Sequence, residues 1–163
     1  MKYAGAGSFQ RNRPLLSFAA GYAGRMADYS FRIATQDDIQ AITDIYNAAV
    51  IRGGSSADTT PRTYAQRKAW VESHHDPYAV FVTTVPATDA ATEGGERIIG
   101  FSALSVFYDR AGYDGVTDLA YYIAPEWQGR GAGTFTLAKL LDECRNRHMR
   151  KACGKTTLRM ACK

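Results

Sequence analysis

The sequence predicts one mixed α/β (α+β) domain, and three observations carry that expectation. The chain has 163 residues, enough for one sizeable core and too few for two ordinary domains. Hydrophobic residues make up 45% and charged residues 22%, the balance of a globular protein. The apolar pattern switches period along the chain in the order strand, two helices, three strands, helix.

The elements follow in order. Residues 1–25, MKYAGAGSFQRNRPLLSFAAGYAGR, carry Lys2, Arg11, Arg13 and Arg25 and no acid. LLSFAAGYAG has the look of a short signal core, but the stretch before it is long and polar. The expectation is a disordered extension over residues 1–28, or an upstream start, with the folded domain at 29–163. FRIA at 31–34 reads as a short strand. Thr35 then stands at an N-cap position with Asp38 three residues on. Ile39, Ile42, Ile45, Tyr46 and Ala49 follow at helical spacing as core residues, and RGGSS at 52–56 ends that helix. A second helix is expected over Thr63–Ser73, closed by His74, His75, Asp76 and Pro77, with the two histidines read as a polar helix end. Strands are expected at 78–85, 98–107 and 117–124, the first two joined by the polar loop PATDAATEGGER. Leu137, Leu140, Leu141 and Cys144 mark the buried stripe of a last helix over residues 133–148.

Charge and cysteine usage limit the partners. The net charge is +4 without a dense basic block, which suits a small anionic ligand or a weak attraction to nucleic acid; a solvated basic surface is the preferred reading, and no nucleic-acid partner is expected. Arg130, Arg145, Arg147 and Arg150 are read as the solvated side of the last helix. No apolar run approaches the roughly 20 residues of a membrane span, so no membrane partner is expected. The three cysteines, Cys144, Cys153 and Cys162, give no disulfide framework, and a cytoplasmic location follows as the expectation. Their spacing to His148 matches no tight ligand pattern, so no metal is expected.

The stretch that carries chemistry is YYIAPEWQGRGAGT, residues 121–134. A strand end runs through Gln128, Gly129, Arg130, Gly131, Ala132 and Gly133 into a helix. Glycine removes the Cβ atoms that would hold a ligand away, and the helix start offers free N–H groups and a partial positive charge. Such a turn binds phosphate, with Arg130 at its edge. The dinucleotide pattern Gly-x-Gly-x-x-Gly fails here, because Thr134 or Thr136 occupies the last position. The triphosphate loop fails as well: Met149 stands where its first glycine belongs. Gln-x-x-Gly-x-Gly at Gln128, Gly131 and Gly133 does fit, and it resembles the pyrophosphate loop of the GNAT acetyltransferases.

The resemblance runs from about Phe31 to Lys151 and is to the branch containing phosphinothricin and L-amino-acid N-acetyltransferases. RIAT-x-x-D at 32–38 and IYN at 45–47 resemble its opening, and Pro61, Thr63, Arg67 and Trp70 its second-helix pattern. FYDRAGYDGVTD at 107–118 is similar to its F-R-x-R-x-A-Y-x-x-T-V-E, with Phe107, Arg110 and Tyr113 agreeing as substrate-binding positions. Asp118 falls where that branch has its catalytic glutamate. The resemblance implies a mixed, mostly antiparallel central sheet flanked by helices, and acetyl-CoA as co-substrate. It implies coenzyme contacts at Tyr121, Tyr122, Ile123, Gln128, Gly129, Arg130, Gly131, Ala132, Gly133 and Thr134. Asp118 would be the general base for acetyl transfer to the amine of a small molecule, an amino acid or analogue.

Three departures bear on that expectation. Tyr108 replaces the first Arg of the F-R-x-R pair, which helps hold the acid group of amino-acid substrates. Asp118 is one methylene shorter than glutamate. After HMRKACG the chain ends in KTTLRMACK, without a counterpart to the family's Asn- and Ser-rich turn, fourth helix and last two strands. The expectation is therefore a domain lacking its usual C-terminal strands and helix, and a homodimer or looser association that covers the exposed edge. The alternative is a catalytically inactive domain of this kind that binds CoA or a protein partner.

Overall fold

The computed structural model describes residues 28–87 and 95–154; the 1–27 extension, most of the polar loop after Pro86 and the chain from Lys155, with Cys162, lie outside the described residues. Five strands, β1 (Ser30–Ile33), β2 (Ala79–Pro86), β3 (Glu96–Val106), β4 (Val116–Ile123) and β5 (Lys151–Gly154), form one sheet in the order β1-β2-β3-β4-β5. The first three pairings are antiparallel, and β4 with β5 is parallel. Helices α1 (Ile39–Arg52) and α2 (Tyr64–Glu72) follow β1, and α3 (Ala132–Asn146) makes the crossover from β4 to β5. β5 is an addition to the element order read from the sequence.

Local chemistry explains the helix starts. Asp38 Oδ2 accepts from the Thr35 N–H at 2.6 Å and from the Thr35 hydroxyl at 3.1 Å, closing the capping box that opens a short 3-10 turn before α1. Arg32 of β1 holds the same carboxylate with two bonds, tying strand to helix start. Thr63 caps α2: its hydroxyl accepts from Gln66 N, and the Gln66 side chain accepts from Thr63 N. Each such cap stabilises its helix by about 1 kcal/mol.

The sheet is packed on both faces. α1 and α2 cover one face through Ile42, Ile45, Val80, Val82, Phe101 and Ala103, with Tyr46, Trp70 and Tyr122 at the margin. α3 covers the other through Ala79, Phe81, Leu104, Leu140 and Cys144, with Phe31 and Leu119. Seven of the eight β2 residues are buried, as two covered faces require. β4 divides its side chains accordingly: Asp118 and Tyr122 share the α1/α2 face by strand alternation, and Leu119, Tyr121 and Ile123 the α3 face.

The arginines expected on the solvated side of α3 are largely engaged. Arg145 pairs with Asp142, Arg147 with Glu143 and Asp76, and Arg150 donates to the Asp114 carbonyl. His74 closes α2 as a polar helix end, with Nδ1 donating to the Trp70 carbonyl at 2.7 Å and Nε2 accepting from Ser105 Oγ at 2.9 Å.

Candidate active site

The turn between β4 and α3 is built by its glycines. Gly129 has φ +74° and Gly131, which caps α3, has φ +90°; both values lie where residues bearing a Cβ are strained. No side chain caps α3, and the first intrahelical bond runs from Phe135 N to Gly131 O, so the preceding N–H groups lack helical partners. A cavity of about 380 Å³ meets the turn at Gln128, Gly129 and Gly133 and continues along Tyr121, Tyr122 and Ile123. A Cβ built on Gly133 would lie 3.6 Å from the Tyr121 ring, so helix and strand approach closely there.

Four of the predicted loop residues, Arg130, Gly131, Ala132 and Thr134, do not line this cavity. Ala132 is fully buried against Val85 and Ile99 and anchors the start of α3. Arg130 points its guanidinium at the Trp127 ring, 5.3 Å from the centroid. Thr134 is exposed on the first turn of α3. Arg52, unmarked by the sequence reading, also lines the cavity from the C-terminus of α1, and its Nη1 donates to Gln128 Oε1 at 2.8 Å. Gln128 Nε2 donates in turn to the Ile123 carbonyl at 2.9 Å, so α1, the turn and β4 are pinned together.

A second cavity, about 590 Å³, continues from Ser55, Tyr121 and Tyr122 to Asp118, with Tyr46, Asp58, Leu137 and Gly154 also on its walls. It is floored where β5 pairs with β4 only at Val116–Leu119; Ala120–Ile123 have no strand partner on that side among the described residues. Asp118 stands opposite Ser105 on β3 and Cys153 on β5. Among the described residues its Oδ1 is shut from solvent and accepts no hydrogen bond. A buried carboxylate oxygen without a donor is costly, and such atoms concentrate at sites that await a ligand or a proton.

The other acid of this cavity is committed. Arg62 holds Asp58 through Nε to Oδ2 at 2.8 Å and Nη2 to Oδ1 at 2.5 Å, and the Tyr46 hydroxyl donates to Oδ2 at 2.5 Å. The Arg62 guanidinium, with the Tyr46 hydroxyl, holds Asp58 down at about 2. Burial pushes the Tyr122 phenol above its ordinary value.

Phe107, Arg110 and Tyr113 sit on the turn between β3 and β4. Phe107 and Tyr113 rings are 5.5 Å apart, and Arg110 lies 5.5 Å from the Tyr108 ring centroid. Arg110 and Tyr113 are exposed, and none of the three lines either cavity. Among the described residues no three His, Cys, Asp or Glu side chains are grouped to hold a metal ion.

Comparison with known proteins completes the picture. A family model described as the acetyltransferase (GNAT) family matches residues 39–160. An N-acetyltransferase of Streptomyces griseus is 29% identical over 133 residues, covering 80% of this chain and 66% of its own. A phosphinothricin N-acetyltransferase of Streptomyces coelicolor is 31% identical over 118 residues, covering 71% of this chain and 65% of its own. The chain thus spans just under two thirds of the length of these curated relatives. The crystal structure of a GNAT superfamily phosphinothricin acetyltransferase from Sinorhizobium meliloti in complex with AcCoA superposes with a TM-score of 0.60 at 26% identity, over 72% of this chain and 60% of that one.

Proposed function

Since the chain belongs to the acetyltransferase (GNAT) family, we propose that it transfers an acetyl group from acetyl-CoA to the primary amine of a small molecule, an amino acid or analogue. The observation that carries this reading is the join between the two cavities. One begins at the uncapped glycine turn, the other ends at Asp118, and Tyr121 and Tyr122 line both.

The residues fit the coenzyme. The free N–H groups around Gly131 and Gly133 would hold its pyrophosphate, aided by the start of α3. The backbone of Ala120–Tyr122, without a strand partner on the β5 side among the described residues, offers donors and acceptors to the amide-bearing arm. Acetyl-CoA supplies an activated acyl thioester. Ammonium is the ordinary form of the acceptor near neutral pH, and it becomes a nucleophile only on losing a proton. The Asp118 carboxylate, on the wall of the second cavity, takes that proton, directly or through a water. N–H groups of β4 steady the negative charge that develops on the acyl oxygen during direct transfer. Asp58 is unsuited to the base role, because a carboxylate held at about 2 has little affinity for a proton. Phe107, Arg110 and Tyr113 would meet the outer end of the acceptor from the turn between β3 and β4. The acceptor site is that of a small molecule; assembly as a homodimer and a cytoplasmic location complete the reading.

Thiol release from acetyl-CoA against a panel of amino acids and amines tests it. Turnover with at least one primary amine is expected. Specific CoA binding without turnover for any amine would favour the inactive coenzyme-binding domain, and absence of both would remove the reading.

A further inference from the structure

A third cavity, about 390 Å³, opens between α1 and α2 and is lined by Tyr46, Asp58, Arg62, Gln66, Arg67 and Trp70. It shares Tyr46 and Asp58 with the cavity that reaches Asp118. Arg67 is only 5% exposed. Its guanidinium carbon lies 3.8 Å from the Tyr46 ring centroid and 4.7 Å from that of Trp70. Among the described residues no carboxylate lies within 4.0 Å of it, and its Nε is shut from solvent without a hydrogen-bond partner. The neighbouring acid, Asp58, has both oxygens taken by Arg62 and one also by Tyr46. A buried guanidinium is ordinarily matched by an anion, since aromatic faces replace only part of its lost hydration.

We propose that Arg67 is the anion-binding residue of the acceptor pocket, holding an acid group of the substrate while the substrate's amine addresses Asp118. The inference rests on the acetyltransferase reading for the identity of the acceptor. The planar fork of an arginine between two rings suits a carboxylate or a similar oxyanion. The acid group belongs either to the α-carboxylate or to an acidic side chain. Both present the same chemistry to Arg67, so a matched series separates them.

Calorimetry supplies the test, with and without CoA. L-glutamate, L-glutamine, L-glutamic acid α-amide and L-glutamine amide present both acids, the α-acid, the side-chain acid and neither; L-methionine and its amide add an apolar pair. At least one acid is expected to bind about 10- to 100-fold more tightly than its neutral partner, the range for a hydrogen bond to a charged group. Arg67→Gln should erase that gap by weakening the acid alone. Arg67→Lys, which keeps the charge and loses the fork, should leave part of it and also serves if Arg67→Gln does not fold. No binding of any acid, equal binding of acids and amides by the wild type, or a gap unchanged in the folded variants would overturn the proposal. Acetyl-CoA affinity, measured on the same proteins, separates the two failures: its loss in the wild type sinks the acetyltransferase reading, whereas intact coenzyme binding without an Arg67-dependent gap sinks only this one.

Discussion

At the scale of single residues, the proposed chemistry turns on which carboxylate is free to accept a proton. Asp58 is tied to Arg62 and Tyr46, whereas Asp118 keeps an oxygen buried and without a donor among the described residues. Asp118→Asn is nearly isosteric and should leave acetyl-CoA affinity intact while lowering the acetylation rate by about 100- to 10,000-fold, the usual worth of a positioned base. Asp118→Glu should keep or raise the rate if the longer carboxylate reaches the amine better. Steady-state kinetics with calorimetric coenzyme affinity decide it: Asp118→Asn retaining most of the rate at every pH would place the base elsewhere. His74 gives a separate prediction about pH. Burial, its largest influence, holds the imidazole below its ordinary 6.5, aided by the neighbouring His75 and opposed by the Trp70 carbonyl. The unfolded chain therefore binds the proton more readily than the native one, and stability is lost as pH falls below about 6.5. Protonation would also turn Nε2 from an acceptor of the Ser105 hydroxyl into a donor. Urea melts at pH 7.5 and 5.5 should show a drop for the wild type and a smaller one for His74→Gln; equal drops would remove His74 from the account.

At the scale of elements, the site depends on how β4 hands the chain to α3. Gly131 sits at φ +90°, with open space where a Cβ would stand. Gly131→Val therefore meets no protein atom, but it strains the backbone and sets two methyls beside the N–H groups meant for phosphate. A folded Gly131→Val protein should bind CoA at least about tenfold more weakly, the scale of a lost charge-assisted bond; unchanged affinity by calorimetry would refute the phosphate-turn reading. The glycine pattern, the Thr35–Asp38 box and the apolar stripes of α1 and α3 were legible because each is written within a few neighbouring residues. Helix and strand ends differ from the expected ones by only one or two residues, as in α3, expected at 133–148 and found at Ala132–Asn146. β5 was not legible: KACG has no alternating pattern, and its strand form comes from pairing with Val116–Leu119 more than thirty residues earlier. Arg52 and the burial of Arg67 between Tyr46 and Trp70 were hidden for the same reason. Their neighbours, Gln128 on one side and Tyr46 with Asp58 on the other, are set by tertiary packing.

At the scale of the whole molecule, the sheet is held by helices on both faces, while its cleft runs along a stretch of β4 without a strand partner among the described residues. Val106, Tyr108 and Tyr113, at the end of β3 and on the turn after it, leave apolar surface exposed. Exposed apolar surface and open edges favour association, so a homodimer is the expected state in solution. Light scattering checks this: a monodisperse monomer with a sharp, high melting point would show that the chain closes its own core. Coenzyme should act on the same exposed features from within. A ligand bound only by the native state stabilises it by mass action, by about 2.7 kcal/mol at a hundredfold excess over its dissociation constant. For a chain of this size, 1 kcal/mol moves the melting point by about 2–4 °C, so a rise of about 5–11 °C is expected with saturating acetyl-CoA. Arg52→Ala should shrink that rise, because it removes a cavity cation and frees Gln128 from α1. Arg130→Ala should shrink it less, because that guanidinium is turned toward Trp127. A rise equal in all three proteins would mean that the coenzyme is held away from the Gln128 turn. The absence of any rise in the wild type would separate membership of the family from use of its coenzyme.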